Sequence, residues 1–550
     1  MQSKSRVIIL SFGLALTSII ITPWSSYDPL NLPKQLILLS FAGILITSLS
    51  KADLRQILRN NRAFNVVIGL FILQLICVLL FAPGNSTQQF YGASGRQTGF
   101  LTYLALAILM FIAANLCSRN MVSSVVLTLV IVSAISLFYG LIQSFNFDPV
   151  NWTTPYSPIF GFLGNPNFFS SFIGFSIAPA LAYALKQKFH RFKSLVYLIY
   201  VLLSFYLIYR SDSKQGFLVA SIVLISVIIF YIIKQSKSFI FKVISLSATV
   251  LLLITSTLDI LQKSPWNSIL YENSISYRGD FWRAAFQMGL NHPWFGVGMD
   301  SYRDYYFRSR DLVAAQREIA GASVDSAHNV ILDMFSSGGF PLALIFVLIQ
   351  SLIFSSAIRT LKRMPEFDPL FVTIFAAWIG FQAQSLISIN VIGLSVWGWV
   401  LGGLIFGYGT IDRGDHTKYI SQQKQKVKSD SFKLVQAIIG FFIGISIAFP
   451  AFKADSTFRT AVDSRSINLL KESAYVFPQS VVRMNYIART FELNKLYEIS
   501  LDIARDSIRF SPETFESWKL IYELPNSSDE EKREAYKRIS YLNPIYLKDK

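Results

Sequence analysis

Long apolar stretches separated by short polar ones dominate the first 450 residues of the chain. An α-helix needs roughly 17–25 mostly apolar residues to cross a bilayer, and thirteen stretches meet that requirement. The pattern predicts an all-α, polytopic transmembrane bundle of about 12–14 spans, whose longest stretch has room to kink at Pro341. The stretches lie near 6–24, 33–50, 64–82, 98–117, 121–144, 168–186, 193–209, 215–233, 239–258, 328–358, 367–388, 393–410 and 432–450.

Lys and Arg residues are distributed unevenly between alternate loops. One set of loops, with the N-terminal segment, holds twenty-three of them, whereas the short loops of the other set hold four. Positive residues in short loops are retained on the cytoplasmic side, so we expect the N terminus inside and the C terminus outside. This topology places a large loop, about 259–327, and everything after residue 450 on the outer face.

The composition agrees with a membrane protein, since 52% of the residues are hydrophobic and only 15% are charged. A formal net charge of +17 is also typical of nucleic-acid-binding proteins. Here the basic excess lies in the predicted cytoplasmic loops, where it faces anionic lipid, so we expect membrane lipid as a partner and no nucleic acid. The two cysteines, Cys77 and Cys117, indicate neither a disulfide framework nor a metal site.

The chain changes character at about residue 451, which divides it into a transmembrane domain, 1–450, and a predicted soluble helical domain, 451–550. The phrases YVFPQS, RFSPET and YLNPIY recur there, with prolines separated by 34 and 32 residues. That spacing is typical of tetratricopeptide helix pairs, whose concave surfaces often bind peptides. The region therefore favours a repeat-like domain with a possible protein partner, and an ordinary helical bundle remains the alternative.

Several polar side chains cluster in the loops assigned to the outer face. Cationic groups are costly to place in or near a bilayer, so such a cluster calls for a functional explanation. The simpler interpretations are arginines that reach lipid phosphates beside aromatic residues, and Asn-Pro-Asn as turn and capping chemistry. The candidates are Arg278 and Arg283 in the stretch 275–306, Arg210 and Lys214 in YRSDSKQGF, Arg96 in GASGRQTGF, and Asn165 and Asn167 in FLGNPNFF.

His328 stands at the start of an apolar run in SVDSAHNVILDMF. A histidine at a membrane boundary can be a filler, a metal ligand, a proton sensor or a catalytic base. Asp325 and Ser326 precede it and are expected to cap the following helix, while either of them could also orient the imidazole ring.

Taken in order, these motifs resemble the O-antigen ligase superfamily. They are GNPNFF before a span, a basic residue in SDSKQG, SYRGDFW followed by HPWFGVG, and His-Asn followed by a glycine pair. In the family's ligase motif, His-Asn is followed nine residues later by Gly-x-x-Gly, Thr or Tyr. His328, Asn329 and Gly339 fit, Leu342 departs, and Lys214 stands where many relatives have arginine. The resemblance covers most of residues 90–410.

The resemblance implies glycosyl transfer at the outer face of the bacterial cytoplasmic (inner) membrane. The donor would be an oligosaccharide or polysaccharide on a polyprenyl pyrophosphate, and the acceptor a hydroxyl of lipid A core, of a protein or of another glycan. The superfamily includes lipopolysaccharide O-antigen ligases, polysaccharide polymerases and protein O-oligosaccharyltransferases, and the sequence leaves these three open. It also leaves open the glycan and the oligomeric state. No cofactor is expected.

The resemblance also assigns roles to residues. A neutral imidazole can accept the proton of an attacking sugar hydroxyl, and a helix N-terminus favours the neutral form, so His328 is the expected general base. Arg278 is the first candidate to stabilise the departing pyrophosphate, with Lys214 or Arg210 the second. Asp325 is the expected orienting group, and the remaining expected substrate contacts are Arg283, Arg96, Asn329, Asn165 and Asn167.

Two further classes of function are open to a chain of this kind. A lipid-linked glycan transporter would place ionisable residues near the middle of its spans, whereas here they gather at the predicted outer edge. A scaffolding protein would account for the C-terminal region but not for the ordered loop motifs. We expect no metal site, since the four histidines are scattered and the spacing of Asp300, Asp304 and Asp325 matches no calcium loop.

Overall fold

The computed structural model describes residues 3–152, 159–186, 191–235, 238, 273–316, 323–411 and 430–546. Within these ranges the secondary structure is helical, without strands, so the all-α prediction is confirmed. The predicted span at 239–258 lies outside the described residues, as do His190 and His416.

Eleven α-helices are described before residue 236, besides a short 3-10 helix at Gly161–Leu163. They are α1 (Ser3–Ile19), α2 (Asn31–Thr47), α3 (Lys51–Arg59), α4 (Arg62–Phe81), α5 (Ser86–Tyr91), α6 (Phe100–Asn115), α7 (Arg119–Ser144), α8 (Pro166–Ser176), α9 (Ala178–Lys186), α10 (Arg191–Arg210) and α11 (Lys214–Gln235).

Twelve helices are described after residue 272. They are α12 (Asn273–Asn291), α13 (Tyr302–Ser309), α14 (Leu312–Ala315), α15 (Val330–Arg363), α16 (Pro369–Ser385), α17 (Ile392–Ile411), α18 (Asp430–Ser464), α19 (Ile467–Ser473), α20 (Val481–Leu493), α21 (Tyr497–Phe510), α22 (Phe515–Glu523) and α23 (Asp529–Leu542).

Eight of the described helical segments are long and apolar enough to cross a membrane: α4, α7, α8 with α9, α10, α11, α15, α17 and α18. Helices α2 and α3 taken together are also long and apolar enough, but the chain bends by 96° between them. Four predicted spans therefore lie on shorter helices, since α1, α2 and α16 have 17 residues each and α6 has 16. The multi-pass architecture is confirmed, while the total of thirteen spans stays a prediction.

The loops assigned to the outer face meet at one end of the bundle. The backbone N–H of Tyr27, in the first such loop, donates to the carboxylate of Asp455 near the end of α18 (2.6 Å). The side chain of Asn31 donates to the carbonyl of Gly95 in the next such loop (2.7 Å).

Loops assigned to the cytoplasmic face also contact one another. Arg119, at the start of α7, pairs with Asp368 before α16 (3.1 Å), and Lys186, at the end of α9, lies 3.8 Å from Glu366. The fold thus sorts these loops into the same two sets as the Lys and Arg distribution. The side on which each set lies stays a prediction.

Helix α15 is broken at Gly339, two residues before Pro341, where a kink was one of the possibilities that the sequence left open. Gly339 has φ 71° and ψ −174°, a conformation that costs a residue with a Cβ atom extra free energy. The break also admits another segment, because a Cβ on Gly339 would lie 2.4 Å from the carbonyl oxygen of Pro293. Glycine is therefore needed here for both its backbone conformation and its size.

The segment that enters the break is the HPWFGVG turn after α12. The break leaves backbone groups of α15 without helical partners, and unpaired buried groups are costly. The turn supplies the partners: Val297 N–H bonds Ser336 O (2.8 Å), Gly298 N–H bonds Ser337 O (3.0 Å), and Phe340 N–H bonds Pro293 O (2.7 Å). Two motifs that are separate in the sequence thus form one structural unit, which we call the turn–break junction.

The buried apolar residues form two clusters. The larger lies among the membrane helices, and the smaller joins α12 and α13 to the C-terminal helices α20–α23. Prolines 478, 512 and 544 lie between helix pairs, just before α20, just before α22 and just after α23. Helix α18 runs through residue 450 without interruption. The division at 450 and the tetratricopeptide-like assignment stay predictions.

We expect Gly339→Ala to destabilise the protein strongly, because the new methyl group would be strained at φ 71° and would collide with the Pro293 carbonyl. Strain at positive φ alone costs about 1–3 kcal/mol. Thermal unfolding of detergent-purified protein measures the effect. Gly69→Ala is the matched control, since no atom lies within 4 Å of its Cβ position. Equal melting temperatures for the two variants would contradict this account of the break.

Candidate active site

His328 lies in the turn immediately before α15. Its backbone adopts φ 53°, and its N–H donates to the hydroxyl of Ser326 (3.0 Å). The side chain of Asn329 caps α15, accepting the N–H groups of Ile331 and Leu332, each at 3.1 Å. The expectation that Asp325 or Ser326 caps this helix was therefore wrong.

A carboxylate in the first turn of α15 fixes the segment before His328. Asp333 accepts hydrogen bonds from the Ser326 hydroxyl (2.8 Å) and from the Ala327 N–H (2.8 Å). A negative charge is also favourable at this end of a helix. The backbone beside His328 is thus held from both sides, by Asp333 and by the Asn329 cap.

Helix α12 runs parallel to the first part of α15 and brings Arg278 towards His328. The ring of Phe281 lies 5.7 Å from the imidazole, the Cα of Gly289 faces Phe335, and Pro293 bonds Phe340. In each pair the second residue is 46 or 47 positions after the first. Arg278 lies three residues before Phe281 in α12, so both side chains are on the face of the helix that approaches His328.

The electrostatic environment keeps His328 neutral. Burial lowers the pKa of His328 to about 4, with the charges of Arg278 and Arg96 acting in the same direction and Asp325 opposing them. A neutral imidazole at pH 7 has a nitrogen lone pair available to accept a proton. The carboxylate of Asp325 in turn favours the imidazolium that proton transfer would produce.

Arg96 is buried among carboxylates, with only 8% of its surface exposed. Its Nη1 donates to the backbone carbonyl of Asp325 and lies 3.8 Å from that residue's Oδ1, while its Nε is 3.7 Å from Asp300. Asp300 also accepts the N–H groups of Ala93 and Thr98, at 2.9 and 2.8 Å. Arg96 therefore ties the 92–99 loop to the segment that carries His328.

Two cationic candidates of the large loop have different surroundings. Arg283 forms ion pairs with Asp280 and Asp311, both at 2.6 Å, and lines a groove of ≈ 860 Å³. The charge of Arg278 lowers the pKa of the His328 imidazole. The groove continues to Leu332 in the first turn of α15, so it lies next to the segment that carries His328.

The other candidates form a second group at the start of α8 and α11. Asn165 caps α8 by accepting the N–H of Asn167 (2.8 Å), whose side-chain oxygen accepts the Ser213 hydroxyl (2.7 Å). Lys214 begins α11 and is exposed, and Arg210 donates to the carbonyl of Ser144 (3.2 Å).

The N terminus of α2 lies between the two groups. Leu30 fills the space beside Gly164 in the loop before α8, and Asn31 bonds Gly95 next to Arg96. The structure thus gathers Arg96, Asp325 and His328 with Arg278, and places Asn165, Asn167 and Lys214 at the same end of the bundle on other helices.

Three charged residues of this region were not assigned to the active site from the sequence. Asp300 and Asp333 fix the loops, and Arg303 Nη2 lies 3.8 Å from Asp325 Oδ2. SYRDYY offered Arg303 as a loop cation, but its partner is visible only in the folded chain. Among the described residues, no group of three or more His, Cys, Asp and Glu side chains is placed to hold a metal ion.

Replacing Arg96 by Met should cost about 3–5 kcal/mol of unfolding free energy, because it leaves the carboxylates of Asp300 and Asp325 buried without their cation. Chemical unfolding followed by intrinsic fluorescence measures the loss. The control is Arg505→Gln, which removes a more exposed ion pair with Glu531 (2.6 Å) and should cost at most about 1 kcal/mol. A similar small loss at both positions would contradict the structural role of Arg96.

Residues 199–347 match the family model described as O-antigen ligase, and no curated protein matches the chain. The matched range begins in α10 and ends just beyond the break in α15, so it includes Lys214, Arg278, His328 and Gly339. It does not reach the C-terminal helices. Over these residues the match confirms the similarity of the chain to the O-antigen ligase superfamily.

Proposed function

We propose that this protein is a membrane glycosyltransferase of the O-antigen ligase type. It moves an oligosaccharide or polysaccharide from a polyprenyl pyrophosphate to a hydroxyl acceptor at the outer face of the bacterial cytoplasmic membrane. The family match supports a glycosyltransferase-like ligase in general terms. The observation that carries the specific proposal is the geometry around His328, which lies in a fixed turn before α15, next to Asp325 and its partner Arg96, at one end of a helical bundle.

In this proposal His328 is the general base. The acceptor hydroxyl attacks the anomeric carbon of the donor while its proton passes to the neutral imidazole, which makes the oxygen a better nucleophile. The bond between the anomeric carbon and the phosphate oxygen breaks, and the polyprenyl pyrophosphate leaves. Asp325 stabilises the resulting imidazolium, since its charge favours protonated His328.

The departing pyrophosphate gains negative charge, and in this proposal Arg278 stabilises it. Lys214 at the N terminus of α11 is the second candidate, because helix N-termini also attract anions. We assign Arg96 and Arg283 to holding loops, since their guanidinium groups pair with carboxylates. The asparagine side chains at positions 165, 167 and 329 serve the local structure in a similar way.

The ligase, polymerase and protein-transferase alternatives differ only in the acceptor. Purified protein is incubated with a polyprenyl-linked glycan and each acceptor class in turn, and mass spectrometry identifies the product. A lipid-linked glycan transporter, the alternative from another class, would move the donor across a vesicle membrane and leave the glycosidic bond intact.

We expect His328→Ala to abolish glycan transfer while the protein stays folded and membrane-inserted. Product formation is measured by mass spectrometry, and folding by size-exclusion chromatography. The matched control is His292→Ala, because His292 is also in the large loop but packs edge-on against Tyr305 (5.9 Å). Transfer at the unaltered rate in the His328 variant would exclude the general-base role.

The pH profile tests Arg278 separately. Activity of the unaltered enzyme should fall only as pH approaches about 4, where His328 becomes protonated. Arg278→Gln should lower the rate about 100–1000-fold, as for other oxyanion donors. It should also move the acid limb of kcat/KM to higher pH, since a charge that lowers the His328 pKa is gone. Arg278→Lys should keep the acid limb near its original pH. An acid limb at the same pH in Arg278→Gln as in the unaltered enzyme would show that the charge of Arg278 does not lower the pKa of His328.

A further inference from the structure

Helix α13 lies between the candidate active site and the C-terminal helices. At its start, Arg303 approaches Asp325 Oδ2 (3.8 Å), whereas Arg96 approaches the other carboxylate oxygen, Oδ1. Asp325 is therefore flanked by two guanidinium groups from different loops. The Arg303 side chain is 36% exposed, so no deep burial fixes it independently of its helix.

The other end of α13 is attached to the C-terminal helices. The contacts combine an ion pair, an aromatic contact and a hydrogen bond, and all three partners belong to the region after residue 510. They are Arg308 with Glu513 (2.5 Å), the ring of Phe307 with that of Phe515 (5.0 Å), and Arg310 with Asn543 (3.2 Å).

Helix α13 also contacts the helix that carries Arg278. The hydroxyl of Tyr302 donates to the carbonyl of Phe281 in α12 (2.7 Å), and the Phe281 ring lies beside His328. A shift of α13 would therefore act on the imidazole by two routes, through Arg303 and Asp325 and through Tyr302 and Phe281.

We propose that Arg303 is a positioning residue for His328 and that the C-terminal helices hold it in place through α13. The inference rests on the proposed function, since it gives the C-terminal helices a part in the chemistry of the same site. They then complete the active site of their own chain, a role beyond binding an external protein.

The sign of the effect follows from the charges that surround the site. Asp325, Arg278 and Arg96 act on His328, and Arg96, Arg303 and His328 act on Asp325. Asp333 lies near Asp325 and Arg96, and Arg303 also acts on Asp304 and Glu516. Arg303 offsets part of the negative charge of Asp325. Without Arg303, that charge should favour the imidazolium more strongly, and the pKa of His328 should rise.

The experiment measures the protonation of His328 without turnover. Diethyl pyrocarbonate acylates neutral imidazole, so the labelling of the His328 peptide, followed by mass spectrometry between pH 3 and 7.5, reports its titration. In Arg303→Gln the midpoint should rise by at least about 0.5 pH unit, as expected when one partly screened charge is removed. Arg303→Lys keeps the charge and should titrate like the unaltered protein. A midpoint in the Gln variant equal to that of the unaltered protein overturns the inference.

Glu513→Gln tests the part played by the C-terminal helices. Removing a negative charge would lower the pKa of His328 if it acted only through space. We expect the midpoint to rise instead, because α13 is released and Arg303 moves from Asp325. Adding Arg303→Gln to Glu513→Gln should then give no further shift, since both act through one contact. Glu531→Gln, which breaks the Arg505 pair within the C-terminal helices, is the matched control and should leave the midpoint unchanged.

A fall or no change in the Glu513→Gln midpoint overturns the role of the C-terminal helices. The proposed function fails separately: if His328→Ala still transfers glycan, the base assignment is wrong whatever the labelling shows. If His328→Ala is inactive and Arg303→Gln titrates like the unaltered protein, only the inference about Arg303 fails.

Discussion

Three backbone hydrogen bonds at the turn–break junction set the relative position of the two residues proposed to carry the chemistry. Helix α12 ends at the junction, and the first part of α15 ends there as well, alongside α12. The two helices are therefore aligned at the end that they share. At a rise of about 1.5 Å per residue, Arg278 lies roughly 20 Å before its end of the junction and His328 roughly 16 Å before the break. Their alignment thus follows from main-chain geometry that depends little on side-chain identity.

The alignment explains why the glycines of the motif matter although they lie far from the imidazole. Gly339 admits the Pro293 carbonyl, and Gly296 lies against the backbone of Ser337 in return. Each glycine allows two backbones to approach more closely than a Cβ would permit. Leu342, the departure from the family motif, is fully buried and contacts Gly338, so this position contributes packing rather than backbone approach.

The sequence predicted features that depend on local composition. Apolar length identified the eight described segments that are long enough to cross a membrane, and the prolines mark the ends of the C-terminal helix pairs. His328 and Arg278 could be selected because they stood in motifs with a known order. Features that depend on the fold were out of reach: the break at Gly339 needs the turn that fills it, the partners of Arg96 lie more than 200 residues away, and the Asn329 cap competed with equally plausible Asp325 and Ser326.

The second apolar cluster joins α12 and α13 to helices that are synthesised more than 150 residues later. Helix α13 can contact α12 as soon as both have been made, but its partners after residue 510 are synthesised last. The membrane helices before α18 are therefore synthesised before the C-terminal partners of α13 exist. A chain that ends after α17 would keep the Tyr302–Phe281 contact of α13, but it would lack the partners after residue 510 that hold the other end of this helix.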